Sequence, residues 1–225
     1  MRRPFELLVF DWDGTLMDSA AAIAESLQAA CAELSLPVPD ETQARYVIGL
    51  GLSDAMKHIL PELPPAEYPQ VVDRYRVHFL RRDGGTTLFR GAEAMIRELN
   101  AAGYLLAIAT GKSRRGLDRA LAATGIGDCF HVTRCADEGY AKPDPDMLNA
   151  VIESLAGSAE TTLMIGDTTH DLEMANAAGV GGVAVTYGAH PRAALSACKP
   201  LALVDDIAAL RNWLHEATPS RAAEI

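Results

Sequence analysis

The sequence predicts an α/β fold in which a parallel sheet is flanked by helices and carries one all-helical insertion. Short apolar runs that end in glycine or polar residues are typical of parallel strands buried on both faces. Segments with helical periodicity follow these runs, and alternation of this kind is the pattern of right-handed βαβ units. The apolar runs are 7–10, 105–109, 162–165 and 182–185, and the helical segments are 91–102, 114–124, 146–155 and 171–178.

Polar residues come directly after three of the predicted strands. Asp11 follows the first run, Thr110 follows the second, and Asp167 follows the third after Gly166. Ligands of open α/β sheets bind outside the carboxyl ends of the strands. We therefore expect these three residues, which are distant in sequence, to meet in one crevice.

The segment 18–85 has no strand candidate and reads as a helical cap domain. A proline-rich stretch at 36–40 and a glycine-containing loop at 49–52 interrupt its helical pattern. The catalytic core would then consist of 1–17 and 86–225, and the cap would form a lid that excludes water and selects substrates. The predicted cap helices are 20–34, 41–48, 53–60 and 66–82.

Composition limits the classes of protein that the chain can be. Its 225 residues are 49% hydrophobic and 22% charged, which favours a folded core over disorder. The net charge of −10 argues against nucleic acid or an anionic membrane as partner. Four scattered cysteines, with no C-x-x-C pair and no signal-peptide pattern, predict reduced thiols in a cytoplasmic protein. A monomer and a homodimer both remain open.

Asp11 and Asp13 stand one residue apart at the end of the first strand, before Gly14. Two carboxylates this close repel each other, so a cation is expected between them. Mg²⁺ fits this position, because it is a hard cation that prefers oxygen ligands and typically keeps waters and binds substrate phosphate. A carboxylate can also attack phosphorus and form an aspartyl-phosphate. Strand alternation should turn Trp12, between the two acids, away from the site. Taken alone, the motif is equally compatible with a solvated turn.

Four motifs in order identify a family resemblance. The string D-W-D-G-T-L-M-D-S at 11–19 resembles the first signature of the haloacid dehalogenase (HAD) superfamily. Thr110-Gly111, K-P-D-P at 142–145 and G-D-T-T-H-D at 166–171 resemble the second, third and fourth. The resemblance, closest to the phosphoglycolate phosphatase group, implies a Rossmann-like, HAD-like core with a helical cap of the C1 type.

The resemblance also implies roles at the matched positions. Asp11 would be the nucleophile, and Asp13 the acid that protonates the leaving oxygen and then activates water. The presence of Asp13 favours phosphate over halide chemistry. The Mg²⁺ ligands would be the Asp11 and Asp167 carboxylates and the Asp13 backbone carbonyl.

The other matched residues would hold phosphate or support the site. The Thr110 hydroxyl and Gly111 N–H suit phosphate oxygens at a strand-to-helix turn, and Lys142 would place an ammonium beside the transferring phosphoryl group. Asp171 would orient the lysine or the waters of the metal. His170 is not assigned to the metal, because a hard cation already has its oxygen ligands.

The expected activity is Mg²⁺-dependent hydrolysis of a small-metabolite phosphomonoester, with phosphoglycolate as the leading candidate. Arg45 and Lys57 in the cap are the candidate substrate residues, since a carboxylate-bearing substrate favours a basic group. Lys112 and Ser113 are weaker candidates for a substrate contact. The same motifs also allow a sugar-phosphate mutase, an inorganic pyrophosphatase or a non-enzymatic receiver-like module, although the cap and Asp13 argue against the last.

Overall fold

The protein is described here by a computed structural model that covers residues 5–83 and 85–217. Within these residues, six strands form one parallel sheet: β1 (Leu7–Phe10), β2 (Leu105–Thr110), β3 (Val132–Cys135), β4 (Thr162–Gly166), β5 (Gly181–Val185) and β6 (Ala202–Val204). Their order across the sheet is β3-β2-β1-β4-β5-β6. The predicted α/β fold is confirmed, and β1 lies in the middle of it.

Helices connect the strands and fill the long segment between β1 and β2. That segment holds α1 (Ala20–Glu33), α2 (Glu41–Tyr46), α3 (Leu52–Ile59) and α4 (Tyr68–Asp83), which we call the helical insertion. The remaining helices are α5 (Ala92–Ala101), α6 (Arg114–Thr124), α7 (Asp146–Ser154), α8 (Thr169–Ala177), α9 (Arg192–Ala197) and α10 (Ile207–Ala217).

The register of the sheet aligns the carboxyl ends of its central strands. Phe10, the last residue of β1, is paired with Ile108 on β2 and with Ile165 on β4. Residues that follow these positions therefore emerge at the same edge of the sheet. This alignment places Asp11, at the end of β1, between the ends of β2 and β4.

Both faces of the sheet are covered, which explains the continuous apolar strands. Leu8 and Phe10 belong to one hydrophobic cluster, whereas Leu7 and Val9 belong to a second cluster on the opposite face. Trp12 is fully buried in the same cluster as Phe10. Its ring therefore points away from the face on which Asp11 lies, as strand alternation predicts.

The helical insertion has a hydrophobic cluster of its own. Helices α1 and α4 pack along each other, and buried side chains such as Cys31, Ala44 and Met56 fill the space between the four helices. Helix α4 begins at Tyr68 and not at the predicted residue 66, because a short 3₁₀ turn at Pro65–Glu67 precedes it. The domain boundaries at 17/18 and 85/86 remain a prediction.

Two short strands and two helices were not among the elements that the sequence pattern indicated. Strand β3 carries Thr133 and Arg134 in a four-residue run, and β6 has only three residues. β3 lacks the wholly apolar run that marks a strand buried on both faces, and β6 is apolar but shorter than the roughly 4–8 residues typical of such a strand. The edge strands, and α9 and α10 beside them, were therefore missed.

The cysteines agree with the sequence-based expectation. Cys31, Cys129 and Cys135 are buried free thiols, and Cys198 is a half-buried one. Across the described ranges, no helix combines the length and apolar character needed to cross a membrane.

Burial of the sheet can be tested with a pair of identical substitutions. Leu106→Ala, at a fully buried position of β2, should lower the free energy of unfolding by about 2–5 kcal/mol, because it leaves a cavity. Leu201→Ala, at a residue that is 59% exposed, should change it by about 0.5 kcal/mol or less. Urea denaturation followed by circular dichroism measures both, and equal losses would contradict this placement of β2.

Candidate active site

The predicted site residues meet at the carboxyl edge of the sheet. Asp11 directly follows β1, Thr110 is the last residue of β2, and Asp167 directly follows β4. Lys142 comes from the loop between β3 and α7, and Asp171 from the first turn of α8. All five side chains are buried, so the expected crevice contains a dense group of charges.

Lys142 lies between two carboxylates. Its Nζ donates to Asp11 Oδ1 at 2.7 Å and to Asp171 Oδ1 at 2.6 Å, and all three side chains have no exposed surface. Burial raises the pKa of Asp11 to about 7 even though Lys142 lowers it. Burial lowers the pKa of Lys142, but the two carboxylates outweigh it and the net shift is upward. The lysine is therefore held as a cation.

Asp167 is fixed from both sides. Thr15 Oγ1 donates to its Oδ1 at 3.0 Å, and the Ala189 N–H donates to its Oδ2 at 2.6 Å. A Cβ at Gly14 or at Gly188 would overlap the Asp167 carboxylate, so both positions require glycine. Burial, and then the charges of neighbouring carboxylates, raises the pKa of Asp167 well above its usual range.

The carboxylates fit a divalent metal ion. Oxygens of Asp11, Asp167 and Asp171 lie within 4.8 Å of one another, and the Lys142 ammonium contacts Asp11 and Asp171. Asp11 Oδ2 is buried and has no hydrogen-bond donor among the described residues. A hard dication that prefers oxygen ligands would compensate the excess negative charge and satisfy this atom.

Asp171 is better placed to orient its neighbours than to bind the metal directly. Its Oδ1 accepts from Lys142, and its Oδ2 accepts from the backbone N–H and the hydroxyl of Thr168, at 3.0 and 2.7 Å. The bond from the Thr168 N–H and the reciprocal bond from the Asp171 N–H to Thr168 Oγ1 form a capping box at the start of α8. Asp11 and Asp167 are the stronger candidates for direct metal ligands.

Asp13 is held by hydroxyl and ammonium groups. Ser19 Oγ donates to Asp13 Oδ1 at 2.7 Å, and Lys112 Nζ lies 2.8 and 2.9 Å from the two carboxylate oxygens. The same ammonium lies 5.0 Å from the centre of the Phe79 ring on α4, which is a cation–π contact. A residue of the helical insertion thus contacts the lysine that holds Asp13.

Thr110 and Gly111 lie where the insertion meets the core. The Thr110 hydroxyl accepts from the Lys112 N–H at 3.2 Å. A Cβ at Gly111 would lie 2.5 and 2.6 Å from the carbonyl oxygens of Gly49 and Leu50. Glycine at 111 therefore has a second reason beyond phosphate binding, because it lets the loop between α2 and α3 approach the end of β2.

A cavity of about 370 Å³ separates the insertion from the sheet edge. Asp11 and Asp13 line its floor together with Thr110, Gly111 and Lys112. Lys142, Asp167 and Asp171 are buried and do not line it. Of the acids that line the cavity, Asp137 is exposed, and the two buried ones are the acids of the D-x-D motif.

A second contact between insertion and core joins α2 to the region around α8. The backbone carbonyl of Tyr46 accepts from His170 Nε2 at 2.8 Å and from His190 Nε2 at 3.0 Å. The Tyr46 ring stacks on His190 and meets His170 edge-on. His170 therefore has a hydrogen-bond partner in the insertion.

The structure does not bring Arg45 and Lys57 to the cavity. Arg45 pairs with Glu41 at 3.0 Å, and Lys57 pairs with Asp54 at 2.8 Å, on the surface of the insertion. Neither Arg45 nor Lys57 is among the residues that line the cavity. Their part in substrate binding remains a prediction without support from the geometry.

Four residues of the site were not found from sequence. Thr15 and Ser19 lie inside the quoted 11–19 string, so their hydroxyls were visible but had no assigned partner. Ala189 and Tyr46 act through backbone atoms, which leave no signal in residue type. The sequence indicates Lys112 only as a weak candidate for a substrate contact. In the structure its ammonium contacts the Asp13 carboxylate.

The chain is similar to known proteins over most of its length. The haloacid dehalogenase-like hydrolase family matches residues 8–185. The chain is 34% identical to a probable phosphatase, IndB, of Dickeya dadantii, with 93% of each chain covered. It is 32% identical to a phosphoglycolate phosphatase of Mesorhizobium japonicum, over 84% of this chain and 85% of that one.

Solved structures share the fold. A hydrolase from Pseudomonas syringae superposes with a TM-score of 0.87 at 22% identity, covering 95% of this chain and 99% of that one. A predicted phosphatase from Clostridium acetobutylicum gives 0.84 at 22% identity, with 95% and 100% covered. The chain therefore belongs to the haloacid dehalogenase-like hydrolases and is similar to their phosphoglycolate phosphatases.

Proposed function

We propose that the protein is a Mg²⁺-dependent phosphatase that hydrolyses a small-metabolite phosphomonoester through an aspartyl-phosphate at Asp11. The observation that carries this proposal is the Asp11 carboxylate on the cavity floor, with one oxygen on Lys142 and the other without a donor among the described residues. Asp13 lies on the same floor. Relatives named phosphatases and phosphoglycolate phosphatases support the same reaction class.

In the first half of the reaction, an Asp11 oxygen attacks phosphorus. The bond from Asp11 to phosphorus forms, the ester P–O bond breaks, and Asp13 donates a proton to the departing oxygen. The Lys142 ammonium, the Thr110 hydroxyl and the Gly111 N–H are the donors for the phosphoryl oxygens.

In the second half, water attacks the phosphorus of the aspartyl-phosphate. Asp13, now ionised, takes the proton of the water as the bond from Asp11 to phosphorus breaks. Inorganic phosphate leaves and both carboxylates return to their starting state. Ser19 and Lys112 keep Asp13 in position through both steps.

The metal would be held by the carboxylates of Asp11 and Asp167, and the family resemblance adds the Asp13 backbone carbonyl. When bound, it supplies positive charge next to the phosphoryl oxygens. Thr15 and the Ala189 N–H fix the orientation of the Asp167 carboxylate, so this ligand is oriented before binding.

Exposed arginines offset the acidity of the protein at the cavity. Arg76, Arg115 and Arg119 line the cavity and are exposed, whereas the whole chain carries a net charge of −10. Local positive charge at a cleft attracts an anionic substrate that the overall charge would repel.

We also propose that the enzyme is cytoplasmic, a compartment in which its free thiols would stay reduced.

Removal of the nucleophile tests the proposal directly. Asp11→Asn should lower kcat for p-nitrophenyl phosphate with Mg²⁺ at least about a thousandfold, because no aspartyl-phosphate can form. Asp118→Asn, at an exposed position on α6, is the matched control and should retain activity. Activity of Asp11→Asn near that of the control would refute the assignment.

Asp13 should affect both halves of the reaction. Asp13→Asn removes proton transfer and should lower kcat by about 10²–10⁴-fold. Rapid-quench measurement of phospho-enzyme formation and decay should show that both rates fall. A loss confined to formation would contradict the second role of Asp13.

Metal binding should be visible as stability. Mg²⁺ at about a hundred times its Kd should stabilise the native state by about 2.7 kcal/mol, because it binds the carboxylate cluster of the folded protein and not the unfolded chain. A thermal melt in MgCl₂ against one in EDTA measures the shift in Tm. Asp167→Asn should remove the shift, and a shift unchanged in that variant would contradict the ligand assignment.

A further inference from the structure

The helical insertion presents an apolar surface to the cavity. Of the thirteen insertion residues that line it, Arg76 alone carries a charge, and this side chain is exposed. We call the following set the apolar wall: Ile23, Leu27, Ile48, Leu50, Phe79 and Leu80. The wall faces the floor that holds Asp11 and Asp13.

Cations close to the floor are already engaged. The Lys112 ammonium contacts both oxygens of Asp13, and the Lys142 ammonium contacts Asp11 and Asp171. On the insertion side, a leaving group with a carboxylate next to the ester would therefore meet hydrocarbon apart from Arg76, which is exposed and paired with Asp73. Burial of an unpaired charge there is costly, whereas burial of hydrocarbon is favourable.

The cavity is also large enough for a bulky leaving group. Its volume of about 370 Å³ lies within the range of about 300–1,000 Å³ that is common for pockets that hold drug-sized ligands. A two-carbon acid would leave much of the apolar wall without contact. An alkyl or aromatic body would cover it.

We propose that the preferred substrate is a phosphomonoester whose leaving alcohol has an apolar body of several carbons, seated against the apolar wall. This inference rests on the proposed function, because the same Asp11 attacks the phosphorus. The bond between phosphorus and the ester oxygen breaks, Asp13 protonates that oxygen, and an apolar alcohol leaves. The wall sets the specificity and takes no part in bond breaking.

A homologous series of linear alkyl phosphates isolates the effect of the apolar body. Ethyl, butyl and hexyl phosphate have the same primary ester, so their leaving groups differ mainly in length. With Mg²⁺ present, kcat/KM measured by phosphate release should rise about fourfold per buried methylene, or about 250-fold from ethyl to hexyl phosphate. The value for hexyl phosphate should also exceed that for 2-phosphoglycolate.

Paired variants test whether the wall causes the preference. Leu80→Asp places a charge on the wall at a residue that is 51% exposed, so the fold should tolerate it. It should lower kcat/KM for hexyl phosphate about tenfold more than it lowers kcat/KM for ethyl phosphate. Leu201→Asp, 59% exposed and outside the cavity lining, is the matched control and should change neither value. A thermal melt checks that both variants are folded.

The outcomes separate this inference from the proposed function. Turnover of 2-phosphoglycolate together with a flat or falling alkyl series would overturn the apolar preference and leave the phosphatase intact. Equal losses for ethyl and hexyl phosphate in Leu80→Asp would also overturn it. Absence of turnover of every ester, including p-nitrophenyl phosphate, would overturn the phosphatase itself.

Discussion

The ion pairs of Lys142 with Asp11 and Asp171 are the interaction on which the site depends. Buried charges are stable only with partners, and loss of one partner costs several kcal/mol. The parallel register supplies the partners, because it ends β1 and β4 at one edge of the sheet. Glycines complete the arrangement, since a side chain at Gly14 or Gly188 would displace the Asp167 carboxylate. The register of the sheet, the ion pairs and the glycines thus all hold the same group of buried charges in position.

The same edge of the sheet also fixes the helical insertion. The Tyr46 carbonyl receives hydrogen bonds from His170 and His190, both near α8, whose first turn holds Asp171. The loop between α2 and α3 rests on Gly111, which is next to Thr110. Movement of the insertion would therefore disturb elements that also position the buried charges. The position of the insertion and the order of the site therefore depend on the same backbone contacts.

Sequence was informative where residue type alone decides the outcome. The apolar runs predict the central strands, and the acids after them locate the floor, because buried parallel strands and carboxylates leave strong local patterns. The prediction of Arg45 and Lys57 as substrate residues rests on their charge alone. Which face of a short helix points inward depends on packing, which composition does not encode. Backbone partners such as the Ala189 N–H carry no residue signal. The edge strand β6 is too short to show periodicity.

An apolar wall above an acidic floor has a consequence for the order of the two steps. Water that reached Asp11 before the ester broke would strengthen the hydration of the nucleophile, whereas an apolar leaving group that fills the cavity displaces water from it. Departure of that group then opens a space next to the phosphoryl group, on the side where Asp13 lies. Water can enter the space and attack. On this proposal, the body of the substrate delays hydrolysis until its own release, and the cavity needs no separate gate for water.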